Sequence, residues 1–336
     1  MTVNKHTHAF CVAPMMDLTD RFCRVFHRCL SSQALLYSEM VTCNAILHGD
    51  KDYLLGFDTV ESPVALQLGG SEPSDLAACA RIGQQYGYSE INLNVGCPSD
   101  RVQSGRFGAC LMAEPELVAQ CVEAMQAAVD IPVTVKCRIG IDRSDAFEPF
   151  AEFIDTVHRA GCRLFIVHAR KAWLDGLSPK ENRDIPPLKY EYVQRIKQEM
   201  SQIDFVLNGE LHSHEQALTL AIDCDTPLDG VMLGRQAYRN PWLLSEVDSL
   251  YYGQPNTTVT RFSVVESYLP YIEQTLATGV KLGKMTRHML GLFQGQPGGR
   301  IWRRYLSEHA WENGAGVEVV VEALRQVEAA TGRSAA

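Results

Sequence analysis

The segment Asn94-Val95-Gly96-Cys97-Pro98-Ser99 sets a cysteine between glycine and proline, whereas most of the other cysteines replace an apolar residue in a helical or strand pattern. A thiol in an ordinary environment has a pKa near 8.5, so about 97% of it is protonated at neutral pH. Such a group can act as a general acid without special surroundings, or as a nucleophile if activated. The usual fate of a cysteine is to be a small buried hydrophobe, and the loop position argues against that here. Lys136, near the end of a β-branched run, would hold a positive charge beside a ring that gains electron density. One unit charge at about 4 Å contributes roughly 4 kcal/mol at an effective dielectric near 20. A salt bridge at a rim is the competing reading for this lysine.

These residues need elements to position them. Short β-branched runs recur at residues 10–15, 35–41, 64–69, 91–95, 133–138, 164–169, 205–208 and 231–234, most followed by apolar residues at helical spacing. Several runs are almost continuously apolar, as parallel strands covered on both faces are. Eight β–α units within about 240 residues predict an α/β fold of the (β/α)8 TIM-barrel type. An open doubly wound sheet is the alternative. Its dinucleotide fingerprint is missing, since the first strand runs into Ala13-Pro14-Met15-Met16-Asp17 rather than a glycine-rich turn.

Barrel enzymes draw their chemistry from the C-terminal ends of the strands. Here those ends collect Pro14, Met15, Met16, Glu39, Gln67, residues 92–98, Lys136 with Arg138, His168 with Arg170, Asn208-Gly209-Glu210, and Gly234-Arg235. So many polar residues at one rim would make a poor core but a good polar pocket. The last two ends lie where barrels bind phosphate through backbone N–H groups, and Arg235 adds a planar donor fork. Taken alone, Gly209 and Gly234 read as ordinary turns; only their position raises them.

The chain has 336 residues, 46% hydrophobic and 21% charged, which excludes a disordered or fibrous protein. No apolar stretch approaches the roughly 18 residues of a membrane helix, and no signal core opens the chain, so a cytoplasmic protein is expected. Eleven cysteines without a CxxC pair fit reduced thiols, not a disulfide framework or a metal site. Beyond a linker at Gly253-Gln254-Pro255-Asn256 the strand pattern stops, predicting a catalytic barrel over 1–252 and an all-helical domain of about four helices over 253–336.

Net charge is −9, which by itself disfavours a nucleic-acid partner. The distribution reverses that reading. Between 279 and 310, Lys281, Lys284, Arg287, Arg300, Arg303 and Arg304 face only Glu308, a local +5. Arg300, Arg303 and Arg304 share one helical face, and Trp302 and Tyr305 interleave as stacking residues would. A solvated helix face is the plainer alternative. Lys180 and Arg183, with Lys189, could extend the same basic character from the loop after the sixth strand.

Five segments in order resemble the signatures of tRNA-dihydrouridine synthases: residues 13–20, residues 92–99, Val135-Lys136-Cys137-Arg138-Ile139-Gly140, Val167-His168-Ala169-Arg170 and Asn208-Gly209-Glu210. The similarity runs from near residue 9 into the tail. The loop 171–183 most resembles the bacterial A-type branch, which modifies tRNA positions 20 and 20a in the D-loop.

The resemblance implies an FMN enzyme fed by NADPH. Pro14, Met15, Met16, Gln67, Lys136, His168, Asn208, Gly209, Glu210, Gly234 and Arg235 would hold FMN. Reduced FMN would deliver hydride to C6 of the uracil, with Cys97 protonating C5 and Asn94 orienting the base. Arg300 and Arg303, with Lys180 and Arg183, would position the tRNA, and a monomer is expected. Two rivals remain: an FMN barrel acting on a free pyrimidine, for which a basic tail has no purpose, and a silent RNA-binding barrel, which leaves Cys97, Lys136 and His168 without duties.

Overall fold

A computed structural model describes residues 7–144, 146–255 and 259–332. The opening residues 1–6 and Asn256 of the expected linker lie outside them. The strands are β1 (Phe10–Val12), β2 (Leu35–Tyr37), β3 (Val41–Thr42), β4 (Val64–Gly69), β5 (Glu90–Val95), β6 (Val133–Arg138), β7 (Leu164–His168), β8 (Asp204–Asn208) and β9 (Gly230–Leu233). Their order is β2-β1-β9-β8-β7-β6-β5-β4, and β2 pairs again with β4, so eight parallel strands close into a barrel. The (β/α)8 expectation holds.

One expected strand, 35–41, is interrupted. Ser38 donates its backbone N–H to Ala65, while its hydroxyl accepts the N–H of Gln67 at 3.0 Å and donates to the Glu39 carbonyl. A side chain thus takes a ladder position, and the separate pair β3 continues farther along β4. Local side-chain bonding of this kind competes with strand pairing.

Alternation along the strands fixes which residues face the barrel interior. Cys11, Ala13, Leu35, Tyr37, Ala65, Leu164, Ile166, Val206 and Met232 form one buried apolar cluster there. On the same face β4, β5 and β6 contribute Gln67, then Glu90, Asn92 and Asn94, then Thr134 and Lys136. The interior is therefore apolar on one side and polar on the other.

Contacts divide the chain into two compact units. The barrel strands and residues through Leu233 form one, apart from residues 17–34; those residues and the chain from Gly234 onward form the other. The contact boundary therefore falls at Gly234, ahead of the expected linker at Gly253. In the second unit, helices Arg261–Ala277, Gly283–Thr286, Gly299–His309 and Val317–Thr331 give the expected helical tail. Thr260 starts the first of these with a capping box shared with Ser263. Trp302 is fully buried, donates its indole N–H to the Met289 carbonyl at 2.9 Å and packs on Phe293. It is a core residue, not the stacking platform that its place among arginines suggested. No helix among the described residues is long and apolar enough to cross a membrane.

Candidate active site at the barrel mouth

Cys97 follows β5 in a loop whose backbone is held from several sides. Asn94 Oδ1 accepts the N–H groups of both Gly96 and Cys97, each at 3.0 Å. The Cys97 carbonyl accepts Ala109 N–H at 2.9 Å, beside Gly108 at φ 78°, where an added Cβ would lie 2.6 Å from that carbonyl oxygen. Glycine is therefore required at 108. Gln103 donates to the Pro98 carbonyl at 3.0 Å and to that of Leu174 at 2.6 Å. The thiol itself is partly exposed, with Sγ 3.5 Å from the Ser99 hydroxyl.

Arg138 is the strongest anchor. It is 3% exposed, its Nε meets the Gly96 carbonyl at 2.8 Å, and its Nη1 meets the carbonyls of Lys171 and Asn182 at 3.0 and 3.1 Å. One guanidinium thus ties the cysteine loop to the loop after β7. Burial lowers its pKa to about 10, and nearby Arg183 and Arg170 push the same way. Asn182, completely buried, organises that second loop by bonding Trp173 at both N–H and C=O and the Leu177 carbonyl. Its neighbours Lys180 and Arg183 are exposed on the loop it holds.

Lys136 donates to Asn208 Oδ1 at 3.0 Å, and Asn208 Nδ2 donates to the Met232 carbonyl at 2.7 Å. Burial lowers the lysine pKa to about 8, with Arg138 contributing. His168 stands in register with Asn208 and with Arg138. Gly209 has φ 130°, and a Cβ there would come within 3.0 Å of His168 Cδ2, so the backbone lies close against the imidazole. Glu210, at φ 51°, pairs with the buried Arg170.

Among the other residues expected at the site, Pro14 and Met15 are half-buried after β1, and Met16 is 56% exposed. Gln67 is buried within the interior polar chain. Gly234 and Arg235 follow β9 directly and open the helix Arg235–Arg239 of the second unit. Arg300 and Arg303 are exposed on Gly299–His309 of that unit. No group of three or more metal-type ligands occurs among the described residues.

A model of the family described as dihydrouridine synthase (Dus) matches residues 11–328. The chain belongs to the dihydrouridine synthase family. It is 58% identical over 319 residues to a tRNA-dihydrouridine(20/20a) synthase of Shewanella oneidensis, covering 95% of this chain and 94% of that one. Enzymes of the same name in Vibrio cholerae and Yersinia pestis are 57% and 56% identical, covering 96% and 95% of this chain and 97% and 91% of theirs. Among solved structures, an old yellow enzyme homologue from Zymomonas mobilis aligns with a TM-score of 0.51 at 14% identity, covering 74% of this chain and 90% of that one; this speaks to the fold alone.

Within this family member, sequence reading missed Arg138 as the anchor of the cysteine loop, and it missed Gln103, Asn182, Glu90 and Thr134. Arg138 carried a signal, as a charge inside an otherwise strand-like run two residues after Lys136. Glu90 and Thr134 carried less, since each looks like an ordinary polar residue near a strand start.

Proposed function

We propose that this chain reduces the C5=C6 bond of uridines 20 and 20a in the tRNA D-loop to dihydrouridine, with FMN as cofactor and NADPH as the reductant of the flavin. The observation that carries the reading is the Cys97 thiol at the barrel mouth, its loop pinned by Asn94 and Arg138 beside Lys136, in a chain 58% identical to an enzyme of that name.

The mouth fits an anionic planar cofactor. Lys136, half-buried, and Arg138, buried, are cations whose pKa values are both pulled down, so an anion there would relieve unfavourable charge. Lys136 would hold its charge against the ring, with Asn208 fixing the ammonium; Gly209, set close to His168, leaves room that a side chain would fill. Gln67, His168, Glu210, Pro14, Met15 and Met16 complete the proposed set. Gly234 and Arg235 join the set by their place in the sequence directly after β9, where barrels bind phosphate, and by the resemblance. When bound, FMN supplies the hydride that adds to C6 of the uracil.

The protein supplies the rest. Cys97 Sγ–H gives its proton to C5, and solvent restores it, so uridine, NADPH and one proton yield dihydrouridine and NADP+. Asn94 contacts the uracil with its second amide proton, because its oxygen and its first amide proton are engaged within the protein. The target base must leave its stack to enter a barrel mouth, and an unpaired loop nucleotide does so at least cost. Arg300, Arg303, Lys180 and Arg183 bind tRNA phosphates, dividing the work between a catalytic 1–252 and an RNA-binding 253–336. The chain acts as a monomer in the cytoplasm.

Incubating the purified chain with FMN, NADPH and unmodified tRNA tests this by mass spectrometry of D-loop fragments. A gain of two hydrogens on uridines 20 and 20a is expected. NADPH oxidation without that gain would turn the reading toward a free pyrimidine.

A further inference from the structure

The polar side of the barrel interior is one continuous chain of hydrogen bonds. At its lower end the Glu90 carboxylate is 2% exposed; Oε2 lies 2.5 Å from His8 Nε2, and Oε1 accepts from Tyr37 OH at 2.9 Å and Thr134 Oγ1 at 2.6 Å. Thr134 Oγ1 accepts from Asn92 Nδ2 at 2.9 Å, Asn92 Oδ1 from Gln67 Nε2 at 2.8 Å, and Gln67 Oε1 from Asn94 Nδ2 at 2.8 Å. Asn94 Oδ1 then receives the N–H groups of Gly96 and Cys97.

The chain has a direction, and its ends impose it. Glu90 Oε1 accepts from both Tyr37 and Thr134, so the single hydroxyl proton of Thr134 points downward and its oxygen accepts from above. Each carboxamide in turn must place its nitrogen below or its oxygen above in one sense only. At the top, two backbone N–H groups require an oxygen from Asn94. Reversing any one amide would set donor against donor along the chain, and in a buried site an unpaired polar group costs about 1–3 kcal/mol.

We infer that Thr134 and Asn92, oriented by Glu90, are positioning residues for the Cys97 loop: through the fixed sense of Gln67 and Asn94 they hold the thiol where it delivers its proton. None of the three touches the reacting atoms. The inference rests on the proposed role of Cys97 as the acid.

Thr134→Val keeps the side-chain shape and removes both links. The expected result is single-turnover uridine reduction slowed at least about tenfold. Flavin reduction by NADPH should stay within about twofold, and exchange of the Gly96 and Cys97 amide hydrogens should rise at least about tenfold, read by NMR. Thr134→Ser, which keeps the hydroxyl, should restore both the rate and the protection. Tyr37→Phe also deletes a buried bond to Glu90 but lies off the directed chain, and should leave uridine reduction within about twofold. If Thr134→Val does not fold, Asn92→Ser breaks the same chain one link higher and carries the same expectations. An unaltered rate and amide protection in the broken-chain variant, or Thr134→Ser as slow as Thr134→Val, overturns the inference. Cys97→Ala, run alongside, keeps the two claims apart: full turnover by that variant removes the acid role whatever Thr134 does.

Discussion

Lys136 Nζ donates to Asn208 Oδ1 at 3.0 Å, so among the described residues this half-buried ammonium has a neutral amide, not a carboxylate, as its hydrogen-bond acceptor. A cation so placed weakens the folded state unless an anion arrives. Burial sets its pKa at about 8, against the usual 10.5. Between those values the unfolded chain keeps a proton that the folded chain has released, so stability rises with pH across that window. Below about pH 8 the full cost of the desolvated charge is present. It amounts to at most about 3 kcal/mol, since Lys136 keeps some solvent contact.

Urea unfolding of the cofactor-free protein from pH 7.5 to 10.5 reads this directly. Wild type should gain stability with pH relative to Lys136→Met. Parallel pH profiles for the two proteins would contradict a desolvated, charged lysine.

Arg138 joins the Gly96 carbonyl to those of Lys171 and Asn182. Replacing it by methionine leaves three carbonyls without their donor and should destabilise the chain by about 3 kcal/mol. The cysteine loop also loses its side anchor, so uridine reduction in the folded fraction should fall at least about tenfold. A variant that loses stability but keeps the wild-type rate would limit Arg138 to holding the fold.

On the helix Gly299–His309, Arg300 and Arg303 are exposed while Trp302 is enclosed. The double change Arg300→Ala and Arg303→Ala should weaken tRNA binding and lower the slope of its salt dependence by about 2, with stability nearly unchanged. Trp302→Ala should instead cost about 3–5 kcal/mol of stability. Filter binding at several salt concentrations, beside thermal melts, separates the two. An unaltered salt slope in the arginine variant would move the RNA surface elsewhere.

The barrel was legible because the strands are short, mostly apolar runs and the helical stretches between them keep their own period. The break at Ser38 was not, because it depends on a hydroxyl replacing a ladder bond to a strand about thirty residues on. At the site, Cys97 and Lys136 stand out by type and position. Glu90, Thr134 and Asn92 become a unit only when β4, β5 and β6 lie side by side in register. Trp302 shows the opposite error: its arginine neighbours point outward, while the helix turns the indole inward. Spacing along the chain gives charge density but not which face is enclosed.

The central claim is that the Cys97 thiol donates the proton to C5, and Cys97→Ala tests it most directly in two rapid-mixing experiments on the FMN-loaded protein. Flavin reduction by NADPH should proceed at the wild-type rate, and the subsequent oxidation of the flavin by tRNA should fall by a factor of at least about a hundred. Reoxidation by tRNA at the wild-type rate, with dihydrouridine formed, would contradict it.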